Sequence, residues 1–450
     1  MAKSKQKFIC QNCEAVFYKW AGRCENCGEW NSLVEQTLPE VGRSAVARSI
    51  NNGKPLQVNS LNSIPFEEGM KRLKTGIRDL DIILGGGILP GGVTLLAGQP
   101  GIGKSTLLLQ TVSNIAHNYD VLYISGEESA GQVRLRAARL GADKSSNLNF
   151  AASTSADDIA VTIRTGKYQL VVVDSVQTLH LNEITSSPGS VSQITNSSNV
   201  IINAAKETGT SVIFVGHVTK EGSIAGPKIL EHLVDVVLQF EGDRYGGFKI
   251  VRAVKNRYGS TNEAAIFEMG EKGLRIVENP SAALLAERRD EDGSVVLATL
   301  EGARPLLVEI QALVNSTNFG YPKRTASGFD INRLNLLIAV LERRTKLKLS
   351  DKDIYINVVG GIKISDPAAD LAICMAIASA SAGRRLNYDT VVFGEVGLGG
   401  EVRSVTSIEK RIAEAKKLGF TKALAPITIK DDFIIGVDNV RSTLIEYLQK

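Results

Sequence analysis

Residues 98–105 read GQPGIGKS and directly follow the apolar run VTLLA at 93–97. This is G-x-x-x-x-G-K-S between a strand and a helical run, the context in which that spacing cradles phosphate. Glycines let backbone N–H groups wrap the phosphate oxygens, and the helix start adds its positive dipole end. A loop of this kind commits the surrounding chain to an α/β sheet. Gly98, Gln99, Pro100, Gly101, Ile102, Gly103, Lys104, Ser105 and Thr106 are expected to hold ATP. Lys104 would meet the β and γ phosphates and Ser105 would ligate Mg2+.

Further apolar, β-branched runs surround the loop: VLYIS (121–125), LVVVD (170–174) and SVIFV (211–215). Runs without polar alternation fit strands buried on both faces of a parallel sheet. VDVVLQF (234–240) and FKIVRAV (248–254), with a turn at 244–247, read instead as a hairpin. Asp174 ends LVVVD and is the natural second Mg2+ ligand, held through water; the other reading is a cap on the following turn. Glu127 and Glu128 follow VLYIS. One of them, Glu127 by preference, could polarise an attacking water; otherwise they are two acids at a helix N-terminus. KNRYG at 255–259 places Lys255 and Arg257 at alternating positions, so both could point one way. They could bring positive charge to the γ-phosphate of a neighbouring subunit, or simply form an exposed basic hairpin tip.

Four of the five cysteines, Cys10, Cys13, Cys24 and Cys27, form two C-x-x-C pairs separated by ten residues. Four thiolates suit tetrahedral Zn2+, with iron in a sulfur-only site as the alternative. The segment is too small to bury a core without metal. Such a closed site is structural. Gly22 and Gly28 are expected to free its turns. Phe17, Tyr18, Lys19 and Trp20 make DNA, protein or another subunit plausible partners. Cys374, inside LAICMAIASA, reads as a small core residue.

The longest uncharged stretch, 82–103, holds eight glycines and two prolines, so it is no membrane helix. The basic N-terminus lacks the apolar core of a secretory signal, and a cytoplasmic protein is expected. Lys and Arg number 52 against 48 acids, a net charge of +4. That is too small to imply nucleic acid by itself, so DNA binding would need local patches. The expected domains are a zinc module (1–34), a linker (35–60), a P-loop ATPase (61–278) and a second α/β unit (279–450). In the last, strands are expected at 294–300, 354–359 and 390–396, and helices at 331–347, 366–381 and 407–418.

Taken in order, the four-cysteine finger, GQPGIGKST, VVVDS and KNRYG make the chain similar to the bacterial RadA (Sms) DNA-repair family over essentially its whole length. Tyr258 stands where that family's KNRFG has Phe. The resemblance implies a RecA-like ATPase core related to hexameric DnaB-type helicases. It also implies the catalytic roles given above for Lys104, Ser105, Asp174, Glu127, Lys255 and Arg257. It implies a γ-phosphate sensor in GHVTKEG, with His217 and the DNA-contact candidate Lys220; a satisfied core histidine is the other reading of His217.

The C-terminal unit resembles the Lon protease fold through GEVGLGGEV at 394–402. Lon proteases use a Ser-Lys dyad. Here DPAAD (366–370) puts Ala368 at the serine position, and the lysine position falls on Glu409, one residue before Lys410. Proteolysis is therefore expected to be absent, leaving a scaffold and assembly ring. Arg343, Arg344, Lys346 and Lys348, with Lys323 and Arg324, would either follow a DNA backbone or form a solvated helix face.

The function the resemblance implies is a DNA-dependent ATPase of the DNA-damage response, a ring motor with six subunits expected. It would act on single-stranded and branched DNA, promoting branch migration alongside RecA. Rival readings are an ATP-driven switch or loader, an ATP-dependent protease opposed by the missing serine, and a RecA-fold kinase of the circadian-clock type. Spacing and composition alone support only the nucleotide chemistry.

Overall fold

A computed structural model of the chain describes residues 7–10, 15–30, 32–36, 60, 71–217, 229–242, 247–317, 320–427 and 431–448. Contacts divide the chain into two units, Met1–Glu68 and Gly69–Lys450.

The first unit is a three-stranded antiparallel sheet of β1 (Lys7–Cys10), β2 (Val16–Phe17) and β3 (Leu33–Gln36), in the order β2-β1-β3. Among its described residues the buried apolar set is Cys10, Cys24 and Leu33, with Phe8, Ala15, Phe17 and Ala21 against it, a small apolar surface for a fold to rest on.

The second unit holds two large sheets. The first contains β4 (Val93–Gly98), β5 (Val121–Ser125), β6 (Leu148–Ala152), β7 (Leu170–Asp174) and β8 (Ser211–His217). It continues with β9 (Val236–Gly242), β10 (Lys249–Asn256), β11 (Ala264–Gly270) and β12 (Gly273–Ile276). The order is β12-β11-β10-β9-β4-β8-β7-β5-β6. From β6 to β9 every pair is parallel; from β9 to β12 the chain meanders antiparallel. Side chains alternate between two apolar layers: Leu170 and Val172 enter one, Val171 and Val173 the other. That is why the strand reads as continuously apolar.

Helices α1 (Arg78–Ile83), α2 (Lys104–Ile115), α3 (Ala130–Leu140), α4 (Ala156–Thr165), α5 (Val191–Thr208) and α6 (Ile229–Leu233) accompany this sheet. Ser129 starts α3 with a capping box, its hydroxyl and the Gln132 side chain satisfying each other's backbone amides.

The second sheet is built from β13 (Ser294–Glu301), β14 (Arg304–Ser316), β15 (Arg324–Ser327), β16 (Lys352–Val358) and β17 (Thr390–Val392). A separate hairpin pairs β18 (Glu395–Val396) with β19 (Val402–Arg403). With β20 (Lys422–Pro426) and β21 (Ile434–Val437), the sheet order is β15-β16-β14-β13-β17-β20-β21. Its helices are α7 (Pro280–Leu285), α8 (Ile331–Thr345), α9 (Ala369–Ala382), α10 (Ile408–Lys417) and α11 (Val440–Tyr447).

Three expected elements are corrected. The run 390–396 is not one strand: at Gly394 the chain leaves β17, its amide bonding Ala368 O at 2.8 Å, and restarts as β18. The helix expected at 366–381 starts at Ala369, because Asp366 and Pro367 form the turn before it. The helix expected at 331–347 stops at Thr345, with Lys346 in the left-handed region at φ 66°.

The two sheets share a core. Ile250 of β10 and Ala264 and Ile266 of β11 belong to the apolar cluster of the C-terminal sheet. Arg252 of β10 pairs with Glu301 at 3.0 Å and Glu241 at 3.1 Å, and Arg304 pairs with Asp79 at 2.9 Å. Among the described residues, no helix is long and apolar enough to cross a membrane.

Candidate active site and metal centre

The phosphate loop leaves β4 at Gly98 and enters α2 at Lys104. Gly103 precedes α2 with φ +117°, a conformation that a side chain would strain. Lys104 is only 4% exposed. Its ammonium donates to Gly98 O at 2.8 Å and Gln99 O at 3.0 Å, and meets His217 Nδ1 at 3.1 Å. Burial lowers its pKa to about 8, against the opposing pull of the Asp174 and Glu127 charges.

Ser105 donates its hydroxyl to Asp174 Oδ2 at 2.8 Å. The phenol of Tyr123, on β5, donates to the same oxygen at 2.6 Å. Burial first, and then the Asp174 charge, push that phenol's pKa well above its ordinary value, so it stays a donor. Tyr123 carries no motif, and the expected site did not include it.

Glu127 and Glu128 part ways. Glu128 is tied to Arg136 of α3, the helix that follows it. Glu127 accepts from the Ser175 hydroxyl and lies 3.5 Å from His217 Nε2. His217 thus stands between Lys104 and Glu127. The sheet order explains this: β8 lies between β4 and β7, and His217 pairs with Gly98 in register. With Nδ1 accepting from the Lys104 ammonium, the proton of a neutral ring sits on Nε2, facing Glu127.

Lys255 and Arg257 lie elsewhere. β10 pairs Lys255 with Val237 and Asn256 with Val236, whereas β4 pairs Thr94 with Val236 and Gly98 with Phe240. The pair therefore lies toward the opening end of β4, away from the phosphate loop at its closing end. Within one chain the structure does not bring it to Lys104. A bulge between Ala253 and Lys255 breaks the strict alternation expected of the two residues. They nevertheless share surroundings. Lys255 Nζ donates to Glu231 O at 2.6 Å, Val234 O at 2.8 Å and His232 O at 3.3 Å. Arg257 pairs with Asp235 at 3.2 Å. The segment is braced by Asn256 on Ile83 O at 2.9 Å and by Arg72 on Tyr258 O at 3.2 Å.

In the C-terminal sheet, Ala368 carries no nucleophile, and Glu409 is exposed. Arg411, two residues on, is fully buried and pairs with Asp366 at 2.7 Å. The other Asp366 oxygen accepts the Ala368 amide at 3.0 Å. Burial would raise the Asp366 pKa; the Arg411 bond and charge, with the amides of Ala368 and Leu300, outweigh it and hold the carboxyl below its ordinary value. Cys374 is buried, and its thiol pKa is pushed well up.

The basic run does not share one helix face. Arg343 and Arg344 lie in the last turn of α8, while Lys346 and Lys348 follow it. Arg344 Nε donates to Leu398 O at 3.3 Å, bracing the glycine-rich segment. Lys220 lies outside the described residues.

In the first unit, the sulfurs of Cys10, Cys24 and Cys27 lie within 4.8 Å of one another. Cys10 and Cys27 are 3.6 Å apart, close to the ~3.8 Å edge of a tetrahedron with Zn–S bonds of about 2.3 Å. Cys13 lies outside the described residues. Gly28, at φ +77°, supplies the left-handed turn, with its amide on Cys24 O at 2.8 Å. Gly22, expected to do the same, has no positive φ. The residues present fit a metal held by sulfur.

The DNA repair protein RadA of Bacillus subtilis is 48% identical over 457 residues, covering 99% of each chain. The protein of the same name from Pseudomonas aeruginosa is 46% identical over 95% of this chain and 94% of its own.

The chain belongs to the RadA DNA repair protein family.

The RadA of Aquifex aeolicus, 44% identical over the whole of this chain and 99% of its own, agrees. Within the RadA framework, residues 65–223 match the AAA domain family, so the chain carries an ATPase domain. Residues 8–35 match a zinc ribbon described as a rubredoxin metal binding domain. Residues 334–429 match the family described as subunit ChlI of Mg-chelatase, in the C-terminal unit read as Lon-like. The fold is thus a RecA-like P-loop ATPase core with a small N-terminal zinc-binding module and a C-terminal Lon-protease-like α/β domain.

Proposed function

We propose that the protein is a DNA-dependent ATP hydrolase of recombinational repair. It works in the cytoplasm as a six-membered ring on single-stranded and branched DNA, and promotes branch migration alongside RecA. The observation that carries this reading is the separation of two half-sites on one sheet. Lys104, Ser105, Asp174 and Glu127 lie at one end of its strands, and Lys255 and Arg257 toward the other. Neither half alone encloses a γ-phosphate. Head-to-tail packing around a ring joins them.

In this reading, Gly98 to Thr106 hold the phosphates, with Lys104 on the β and γ groups. Ser105 and Asp174 hold Mg2+, which when bound neutralises developing phosphate charge. Glu127 orients the attacking water and takes its proton. His217, touching both Lys104 and Glu127, reports occupancy toward the segment that follows β8. Lys255 and Arg257 from the neighbour stabilise the transferring phosphoryl group, and hydrolysis loosens that contact. Lys220, Arg343, Arg344, Lys346 and Lys348 contact DNA phosphates. The work divides between a zinc module at 1–34 with Zn2+ on Cys10, Cys13, Cys24 and Cys27, a linker at 35–60, the ATPase at 61–278 and the scaffold at 279–450. The scaffold does no proteolysis: Ala368 has no nucleophile, and Arg411 cannot accept a proton at ordinary pH.

The test is steady-state ATP turnover with and without single-stranded DNA, for wild type, Lys104→Ala, Lys255→Ala and Arg257→Ala. DNA stimulation that Lys255→Ala or Arg257→Ala abolishes while ATP still binds supports the reading. Turnover indifferent to DNA would sink the motor and favour a protein-directed switch.

A further inference from the structure

Asp235 is a buried carboxylate outside the phosphate site that accepts from three different segments of the chain. It is 3% exposed, in the turn between α6 and β9. Its Oδ2 accepts from Lys206 Nζ at 2.5 Å and from the Val93 amide at 3.0 Å. Its Oδ1 accepts from Arg257 Nη1 at 3.2 Å. Its own amide donates to Val93 O at 2.9 Å, and its carbonyl accepts the Arg257 amide at 3.1 Å. Burial alone would raise its pKa; the Lys206 bond, the Val93 amide, the Lys206 charge and the Tyr258 hydroxyl overcome this and hold it ionised. The groups facing it from the packed elements are therefore Lys206 of α5, Val93 of β4, and Lys255, Arg257 and Tyr258 from the end of β10.

Two features make this more than a buried ion pair. Val93 is the first residue of the strand that ends in the phosphate loop. Arg257, by contrast, keeps 56% of its side chain exposed and holds Asp235 by one long contact. Asp235 thus fixes the root of a reaching cation to the near end of the nucleotide strand.

We infer that Asp235 is a positioning residue for ATP hydrolysis, acting through Arg257 on the nucleotide of the adjacent subunit. The inference rests on the trans arrangement proposed above. The carboxylate orients the guanidinium by charge and by the paired backbone bonds. It ties that orientation to the strand that senses the subunit's own nucleotide.

The experiment is a complementation series with the full-length protein and single-stranded DNA. Asp235→Asn keeps the shape and removes the charge. Turnover is expected to fall at least about tenfold, while the Kd for a fluorescent ATP analogue moves less than about twofold. Added to Arg257→Ala, it should cost little more, because the two act as one unit. Mixed in equal amounts with Lys104→Ala, it should regain turnover, since about a quarter of the interfaces then join an intact phosphate loop to an intact finger. If Asp235→Asn stays dead with Lys104→Ala while Arg257→Ala recovers, Asp235 serves only its own strand and the inference is overturned. If Arg257→Ala also fails to recover, the trans reading itself falls and takes the inference with it. Should Asp235→Asn not fold, Asp235→Ser, whose hydroxyl can still accept the Val93 amide, replaces it. Loss of folding in both would make Asp235 purely structural and end the proposal.

Discussion

The phenol of Tyr123 donates to Asp174 Oδ2 at 2.6 Å across 51 residues of chain, joining β5 to the aspartate of β7. The oxygen it holds also accepts Ser105. Tyr123→Phe removes one of two donors from a buried carboxylate. The expected loss is about 1.5–3 kcal/mol in urea unfolding. The Mg2+ concentration for half-maximal ATP turnover should rise, because the carboxylate is less well oriented. An unchanged Mg2+ requirement would leave Tyr123 as packing only.

Lys104 titrates near pH 8 without nucleotide. A triphosphate beside it favours the ammonium and raises that pKa. Binding near or above pH 8 should then take up a proton, and affinity should fall as pH rises through 8. Calorimetry in buffers of different ionisation enthalpy measures the uptake directly. Lys104→Arg should bind without that proton.

His217 contacts both Lys104 and Glu127. In His217→Ala the ratio of DNA-stimulated to basal turnover should drop toward one, with ATP still bound. A retained ratio would return His217 to a packing role.

Asp366 and Arg411 are a buried pair, so breaking it strands a charge. Asp366→Asn should cost about 3–5 kcal/mol. The folded carboxyl lies below its ordinary value, so its stabilisation is complete above the unfolded pKa and lost as pH falls through the folded one. Acid unfolding of Asp366→Asn should therefore be flatter below pH 4 than wild type. Ala368→Ser should yield no peptidase, measured with a casein substrate, because the adjacent cation is an arginine.

The cysteine cluster should carry one zinc per chain by elemental analysis, with no visible absorption. Cys24→Ser should release it and unfold the first unit. A coloured protein with iron to sulfur absorption would reverse the metal assignment.

Motifs that carry their own backbone geometry were legible in the sequence. GQPGIGKS demands its strand and helix, and LVVV is apolar throughout because both of its faces are covered. Groups whose role comes from distant partners were not. Tyr123 reads as one more strand residue in VLYIS. Asp235 reads as the start of VDVVLQF. Arg411 sits among charges in RIAEAKK, and nothing local marks it as fully buried. β14 runs 13 residues, but only its first half faces the core, so its polar end hid the strand.

The shared core of Ile250, Ala264 and Ile266 makes β10 a common beam of both sheets. One end of that strand carries Lys255; its middle is stapled to Glu301 through Arg252. Close-packed interiors transmit strain rather than absorb it. The strand that carries Lys255 is therefore joined to the C-terminal sheet by direct packing and by an ion pair. A chain cut after Glu278 would strip the cover from its own apolar strands.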